Sequence, residues 1–165
     1  MSQDAIVMLK DDHKEIRARF REFEKSSTTK ARKGTLVEQM IELLTVHTYI
    51  ENEVMYPRVR ELLPDLEDDV LESYEEHHVA DVLVMELVPM SPDDERFEAK
   101  TTVLIESVRH HMDEEESDWF PKVREGLSRT QLREIGAEMA EARERAPRRP
   151  EQPSALKKTI DAVVS

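Results

Sequence analysis

Apolar residues recur every three or four positions in four long segments of the chain, the spacing that places them on one face of an α-helix. Each segment also carries a histidine where the pattern would otherwise have an apolar side chain. The four stripes are Ile6, Leu9, His13, Ile16, Phe20 and Phe23; Val37, Met40, Leu44, His47, Glu51 and Val54; Leu66, Val70, Ser73, His77, Ala80, Val84 and Leu87; and Phe97, Thr101, Leu104, Val108, His111 and Glu115. We therefore predict four amphipathic helices.

Short segments rich in helix-breaking and capping residues separate these helices, at residues 26–34, 62–68 and 88–95. Short connections make successive helices antiparallel neighbours. We predict an all-α fold in which residues 1–127 form an up-down-up-down antiparallel four-helix bundle. An additional helix is expected at residues 128–145, and residues 146–165 are expected to form a linker and a C-terminal tail.

Composition narrows the chemistry and the partners. The chain has 165 residues, only 3 glycines and 37% charged residues, as expected for one helical domain with solvated outer faces. The absence of cysteine leaves imidazole and carboxylate as metal ligands. A formal net charge of -13 opposes binding to nucleic acid and to anionic lipid, and the apolar run at 82–88 is too short to span a bilayer. We expect a cytoplasmic protein with neither kind of partner.

The chain contains an internal repeat with an offset of 64 positions. His13, His47 and Glu51 recur as His77, His111 and Glu115, and HTYIENEVMYPRVREL from position 47 aligns with HMDEEESDWFPKVREG from position 111. A duplicated half that carries two histidines and one glutamate favours a two-metal site on a pseudo-twofold axis, because each half can supply the ligands of one metal.

A metal pair also explains why polar residues occupy the stripes. A lone histidine on an apolar face is usually a core residue that bonds to a carbonyl group, but four such histidines and two glutamates would bury many polar groups in one layer. His47 and Glu51 lie one helical turn apart, as do His111 and Glu115, so each pair faces the same interior. Imidazole and carboxylate donors suit iron.

Neighbouring residues are expected to have structural roles. His78 and His110 are adjacent to proposed ligands, and adjacent helical residues diverge by about 100 degrees, so we place them at the surface or at a helix interface. Pro57 and Pro121 each follow a proposed glutamate ligand by six positions and are expected to bend the helix there.

The ordered motifs resemble the hemerythrin-like (HHE) cation-binding domain family over residues 4 to about 127. They are DDHKEI at 11–16, HTYIENEVMYP at 47–57, EEHHVA at 75–80 and HMDEEESDWFP at 111–121. The resemblance implies a non-haem di-iron centre with an oxo or hydroxo bridge. It also implies metal ligation by His13, His47, Glu51, His77, His111 and Glu115, with both glutamates bridging.

The chain differs from the oxygen-carrying members of that family, which resemble a five-histidine arrangement. Ser73 and Asp81 stand one turn to either side of His77, where the carriers have a further histidine. The four-histidine, two-glutamate set is similar to the bacterial type, which implies small-molecule partners such as O2, H2O2 or NO. Tyr74, one turn before His77, is a candidate hydrogen-bond donor to an oxygen species at the metals or else a core residue.

Three classes of function remain at this stage. The first is a non-enzymatic module that binds or senses oxygen or iron. The second is a stress-defence enzyme that decomposes peroxide as a catalase does. The third is a ferritin-like carboxylate protein, which we disfavour because Glu75 and His78 are the one Glu-x-x-His pair and the repeat does not copy it.

Overall fold

The structure, a computed structural model, describes residues 3–150, and the predicted tail beyond residue 150 lies outside the described residues. Helices account for nearly all of the described chain. They are α1 (Ala5–Glu24), α2 (Lys30–Ile50), α3 (Tyr56–Leu62), α4 (Glu67–Leu87), α5 (Phe97–Glu114), α6 (Phe120–Gly126) and α7 (Arg129–Arg145). A single turn of π-helix joins α2 to α3 at Glu51–Met55, and another joins α5 to α6 at Glu115–Trp119. The predicted all-α class is confirmed.

The helix ends are set by local side chains. Asp4 accepts hydrogen bonds from the backbone of α1, and Ser128 with Gln131 forms a capping box at the start of α7. Helix α2 begins earlier than the predicted loop at 26–34 allows, because Thr29 caps it. Gly34 therefore lies inside α2, where Pro92 approaches so closely that a Cβ atom would lie 2.6 Å from its ring.

Ion pairs between neighbouring helices occur in reversed sequence order. On α1 and α2, Asp12 contacts His47 and Glu22 contacts Arg32, so the two helices run in opposite directions. Helices α5 and α6 together also run opposite to α1, as the pairs Glu24–Arg109 and Asp4–Arg124 show. They run opposite to α4 as well, as the pairs Glu86–Lys100 and Asp69–Lys122 show. These pairs support the predicted up-down-up-down order, which stays a prediction.

The hydrophobic core consists of two clusters. One cluster contains the start of α1, Ile50 of α2 and Val59 of α3, and buried residues of α7 belong to it as well. The other cluster contains Ile16 and Phe20 of α1 together with Phe97 at the start of α5. The predicted metal ligands fall between these clusters along the helices, as a polar layer inside an apolar core. Among the described residues, no helix is both long enough and apolar enough to cross a membrane.

Candidate metal centre

The six side chains predicted as ligands come together in the polar layer between the two core clusters. All of them are buried, with at most 6% of any residue exposed. They are His13 on α1, His47 at the end of α2, Glu51 in the first π turn, His77 on α4, His111 on α5 and Glu115 in the second π turn. Every stripe residue of the sequence pattern is buried as well, except Leu66, which is half-buried.

The six residues divide into two groups of three whose potential ligand atoms lie within 4.8 Å of one another. One group is His13, His47 and Glu115, and the other is His77, His111 and Glu51. The pseudo-twofold relation is preserved, but the glutamates are exchanged. The two histidines of each sequence half do lie together, whereas each glutamate lies within reach of histidines from both halves.

Each glutamate also contacts a histidine from both groups. Glu51 Oε1 lies 2.8 Å from His47 Nε2 and 3.5 Å from His77 Nε2. Glu115 Oε1 lies 3.2 Å from His13 Nε2 and 3.3 Å from His111 Nε2. A carboxylate that reaches both groups is placed as a bridging ligand would be.

Hydrogen bonds at the outer nitrogens orient the histidine rings. His47 Nδ1 lies 3.0 Å from Asp12 Oδ2, and His77 Nδ1 lies 2.9 Å from Asn52 Oδ1. Because these oxygens accept, the Nδ1–H groups donate, and each inner Nε2 can offer its lone pair to a metal ion that displaces any proton there. Outer partners of this kind are typical of histidines that bind metals.

The inner nitrogens fit a cation better than they fit one another. His77 Nε2 and His111 Nε2 are 3.0 Å apart, so one of them must hold a proton that the other accepts unless a cation lies between them. Further buried atoms of the layer form no hydrogen bond of normal geometry, although two pairs of them, His47 Nε2 with Glu51 Oε1 and His13 Nε2 with Glu115 Oε1, lie 2.8 and 3.2 Å apart. These atoms are His13 Nδ1 and Nε2, His47 Nε2, both oxygens of Glu51, and Glu115 Oε1. Unsatisfied polar atoms are costly in a protein core. The donors present therefore fit metal ions.

The buried charges of the layer raise the pKa values of three of its side chains. Burial opposes the charged form of His111, but the charges of Glu115, Glu76 and Glu51 outweigh it and raise the pKa of His111 to about 9. The pKa of His47 is likewise raised, against burial, by Glu51 and Asp12. Burial and the negative charge of Glu51 raise the pKa of Glu115. A metal ion would displace any protons on these side chains.

The pseudo-twofold symmetry is broken by an aromatic residue that sequence analysis assigned no role. Tyr56 has its hydroxyl 3.2 Å from His77 Nε2, 3.3 Å from His111 Nε2, and donates to Glu115 Oε2 at 3.1 Å. At the repeat-related position, Phe120 stacks on His13 with ring centroids 5.8 Å apart. One group of donors therefore has a phenol beside it, and the other has an apolar ring.

Tyr74 lies farther out than Tyr56. Its hydroxyl donates to the backbone oxygen of Asn52 at 3.4 Å, and its ring packs edge-on against Tyr56, 5.4 Å between centroids. Burial raises the pKa of Tyr74 to about 12. The hydroxyl that reaches the inner histidine nitrogens is that of Tyr56, so Tyr74 supports the site through ring packing.

The π turns account for the two prolines. In each turn the backbone N–H that follows, of Tyr56 or Phe120, bonds to the carbonyl group five residues earlier, on Glu51 or Glu115. The next residue is proline, which has no N–H to donate. We expected a bend after the site, and the structure places a π turn there that begins at the glutamate itself. Such turns are common at functional sites.

One side-chain connection reaches outward from the layer to α7, and two neighbouring histidines lie outside the layer. Arg143 on α7 donates two hydrogen bonds to Asp12, the partner of His47 Nδ1, at 3.1 and 2.9 Å. His110 is an exposed residue paired with Glu114, and His78 is half-buried; neither belongs to the two buried groups. Their placement agrees with the surface or helix-interface positions expected from the sequence.

The fold and the donors define a helical protein with histidine and glutamate side chains at its centre that could bind metal cations. The model of the hemerythrin HHE cation binding domain matches residues 4–123, and the chain belongs to that family. A hemerythrin HHE cation binding domain-containing protein of Mycobacterium kansasii has a similar crystal structure, with a TM-score of 0.70, 22% identity, and 87% of this chain and 86% of that chain covered.

A curated relative from Nostoc sp. (strain PCC 7120 / SAG 25.82 / UTEX 2576) is named DNA nickase. It is 30% identical over 147 residues, which are 89% of this chain and 40% of the relative. The chain thus spans less than half of that protein's length.

Proposed function

We propose that this protein is a non-haem di-iron protein with His13, His47, Glu51, His77, His111 and Glu115 as the ligands, held in an up-down-up-down bundle. The observation that carries the proposal is the 3.0 Å approach of two inner imidazole nitrogens inside a layer of unpartnered donors. The contacts of Glu51 and Glu115 with both histidine groups support two metals bridged by carboxylates. Mixed imidazole and carboxylate donors favour iron over softer metals.

The reaction we propose is the decomposition of hydrogen peroxide in defence against oxidative or nitrosative stress. A bound pair of irons would supply a redox couple by which two molecules of peroxide become one of oxygen and two of water. The chain itself holds a protonated hydroxyl at Tyr56 Oη as a hydrogen-bond donor beside the centre, because burial and the charges of Glu115 and Glu51 raise the pKa of that phenol well above its usual range. Core clusters on both sides exclude bulk water.

Metal analysis tests the ligand set with two adjacent residues. We expect two irons per chain in the wild type, fewer in His111→Ala, and two in His110→Ala, because His111 is buried in the layer and the side chain of His110 is 68% exposed. Full iron in His111→Ala, or loss of iron in His110→Ala, would contradict the assignment.

Oxygen release distinguishes the enzyme from the alternative, a module that binds or senses oxygen or iron without turnover. We expect the iron-loaded protein to release oxygen from hydrogen peroxide over many turnovers, measured with an oxygen electrode. A reduced protein that instead forms a stable, reversible complex with oxygen, and releases none from peroxide, would favour the binding module.

DNA nicking is a second candidate, favoured by the name of the Nostoc relative. The net charge of -13 opposes it, because contacts with phosphates require a positive surface. The relative is also more than twice as long as the matched region, so its named activity has room to lie elsewhere in that protein. Incubation of the iron-loaded protein with supercoiled plasmid is the test, and we expect no conversion to the open-circular form.

A further inference from the structure

A small cavity of about 40 Å³ lies between α4 and the α5–α6 run, beside the candidate metal centre. His111 and Glu115 form part of its wall, so the cavity reaches two of the proposed ligands. Toward the solvent its lining is acidic, with Asp69, Glu72, Glu76, Glu114 and Asp118. The volume is that of one or two water molecules, enough for a single ion but not for an organic substrate.

Little positive charge balances these carboxylates. Lys122 lies 3.0 Å from Asp118 and 3.5 Å from Asp69, so one ammonium group serves two acids. Within the described residues, no lysine or arginine contacts the other three acids of the lining, which are Glu72, Glu76 and Glu114. A narrow acidic opening concentrates cations at its mouth and speeds their entry.

A third set of metal-capable donors stands at this opening. Donor atoms of Glu76, His110 and Glu114 lie within 4.8 Å of one another, and these side chains are 25%, 68% and 52% exposed. Glu76 also connects inward, with its Oε2 atom 3.4 Å from His111 Nδ1. Acidic clusters are common on helices, and this one alone would indicate no ligand.

A buried carboxylate in the same cavity supplies the independent indication. Glu115 is 2% exposed, and its Oε1 atom lies 3.2 Å from His13 Nε2 and 3.3 Å from His111 Nε2 but forms no hydrogen bond of normal geometry among the described residues. A buried carboxylate oxygen without such a bond, at the inner end of an acidic passage, favours a cation as the species that moves along the passage.

We propose that this cavity is the entry route of divalent iron, and that Glu76, His110 and Glu114 form a transient outer site where the ion binds before it reaches His111 and Glu115. The inference rests on the proposed di-iron centre and adds to it a path by which the metal arrives. The outer site is expected to affect the rate of metal loading and not the final metal content.

Metal-uptake kinetics test this route. Metal-stripped full-length protein, shown by circular dichroism to be folded at low temperature, is mixed with Co²⁺ in a stopped-flow spectrometer, and with Fe²⁺ under anaerobic conditions. Glu72→Gln/Glu114→Gln removes two charges from the opening. Glu141→Gln/Glu144→Gln removes two charges from the exposed face of α7 and is the matched control.

At low salt we expect uptake by the opening variant to be about tenfold slower than by wild type, with the control within about twofold. All three proteins should reach the same final metal content. Added salt should slow wild type toward the rate of the opening variant. Equal rates in the opening variant and the control would overturn the route.

The outer site has its own test in His110→Ala, which alters no buried ligand. We expect slower uptake with unchanged final content, and an unchanged rate would overturn the outer site. A wild-type protein that binds no Co²⁺ or Fe²⁺ at equilibrium would refute the proposed function itself. Normal final metal content with unaffected uptake rates in the variants would instead refute only the entry route.

Discussion

Removal of the metals should destabilise this protein strongly, because the polar layer lies between two hydrophobic clusters. Among the six proposed ligands, the described structure leaves six buried atoms without hydrogen-bond partners: both nitrogens of His13, one of His47, both oxygens of Glu51 and one of Glu115. Metal coordination would satisfy these atoms. Without it, they must hold protons or admit water, and both responses disturb the packing of the helices.

The magnitude follows from the number of such atoms. An unsatisfied buried polar group costs about 1–3 kcal/mol. Two pairs of the six atoms contact each other, His47 Nε2 with Glu51 Oε1 and His13 Nε2 with Glu115 Oε1, so the cost is about 5–10 kcal/mol before the layer relaxes. That is comparable to the whole stability of a typical domain, roughly 5–15 kcal/mol. Protonation of His111, whose pKa the charges of Glu115, Glu76 and Glu51 raise to about 9 against the effect of burial, recovers part of the cost. We expect a loss of about 5 kcal/mol, which lowers Tm by roughly 10–20 °C for a chain of this size.

Thermal unfolding monitored by circular dichroism measures the effect. The comparison is between iron-loaded protein, protein stripped by a chelator, and stripped protein to which iron is returned. Glu51→Leu is the matched variant, since it removes a bridging candidate and both of its unpartnered oxygens. In that variant we expect iron to cause little or no rise in Tm.

A Tm that changes by less than about 2 °C on verified metal removal would refute this reasoning, because such a shift corresponds to at most about 1 kcal/mol, far below the expected loss. Equal iron-dependent stabilisation of wild type and Glu51→Leu would be equally damaging to the assignment of Glu51 as a ligand. Reversal on return of iron separates loss of the metals from irreversible aggregation.

Three further substitutions probe the centre. Tyr56→Phe should keep two irons and lower oxygen release from peroxide by about tenfold or more, because it removes the buried hydrogen-bond donor; unchanged release would exclude that role. Arg143→Ala should weaken metal retention against a chelator by up to about tenfold, since Arg143 holds the outer partner of His47, whereas exposed Arg145→Ala should not. Glu51→Gln should abolish the magnetic coupling of the iron pair, which Mössbauer spectroscopy detects.

The sequence was sufficient to predict the helices and the convergence of six polar residues. Each ligand lies on an apolar stripe, and a stripe must face the interior, so burial follows from spacing alone. The 64-residue offset also distinguished His77 from His78 and His111 from His110. That distinction agrees with the structure, where the two selected histidines belong to the buried groups.

Other features depend on how the halves pack, which a linear repeat does not encode. Each glutamate contacts histidines of both halves because the helices interleave. The contact of Arg143 with Asp12 joins residues 131 positions apart. Tyr56 occupies the aromatic position before proline in its motif, where Phe120 stands in the other copy. That substitution was the visible signal, and comparison of the two copies at this position would have identified Tyr56.

The departures from symmetry all lie on one side of the centre. The phenol of Tyr56 touches His77 and His111, and the acidic cavity reaches His111 as well. On the other side, Phe120 stacks on His13, and α7 packs over α1 and α2. On the His77–His111 side, the cavity provides access from solvent and Tyr56 provides a hydroxyl group, so a small molecule that needs both would react there. We therefore expect the duplicated ligand set to hold two inequivalent irons, with exchange and chemistry at the side of Tyr56 and a mainly structural role at the side of Phe120.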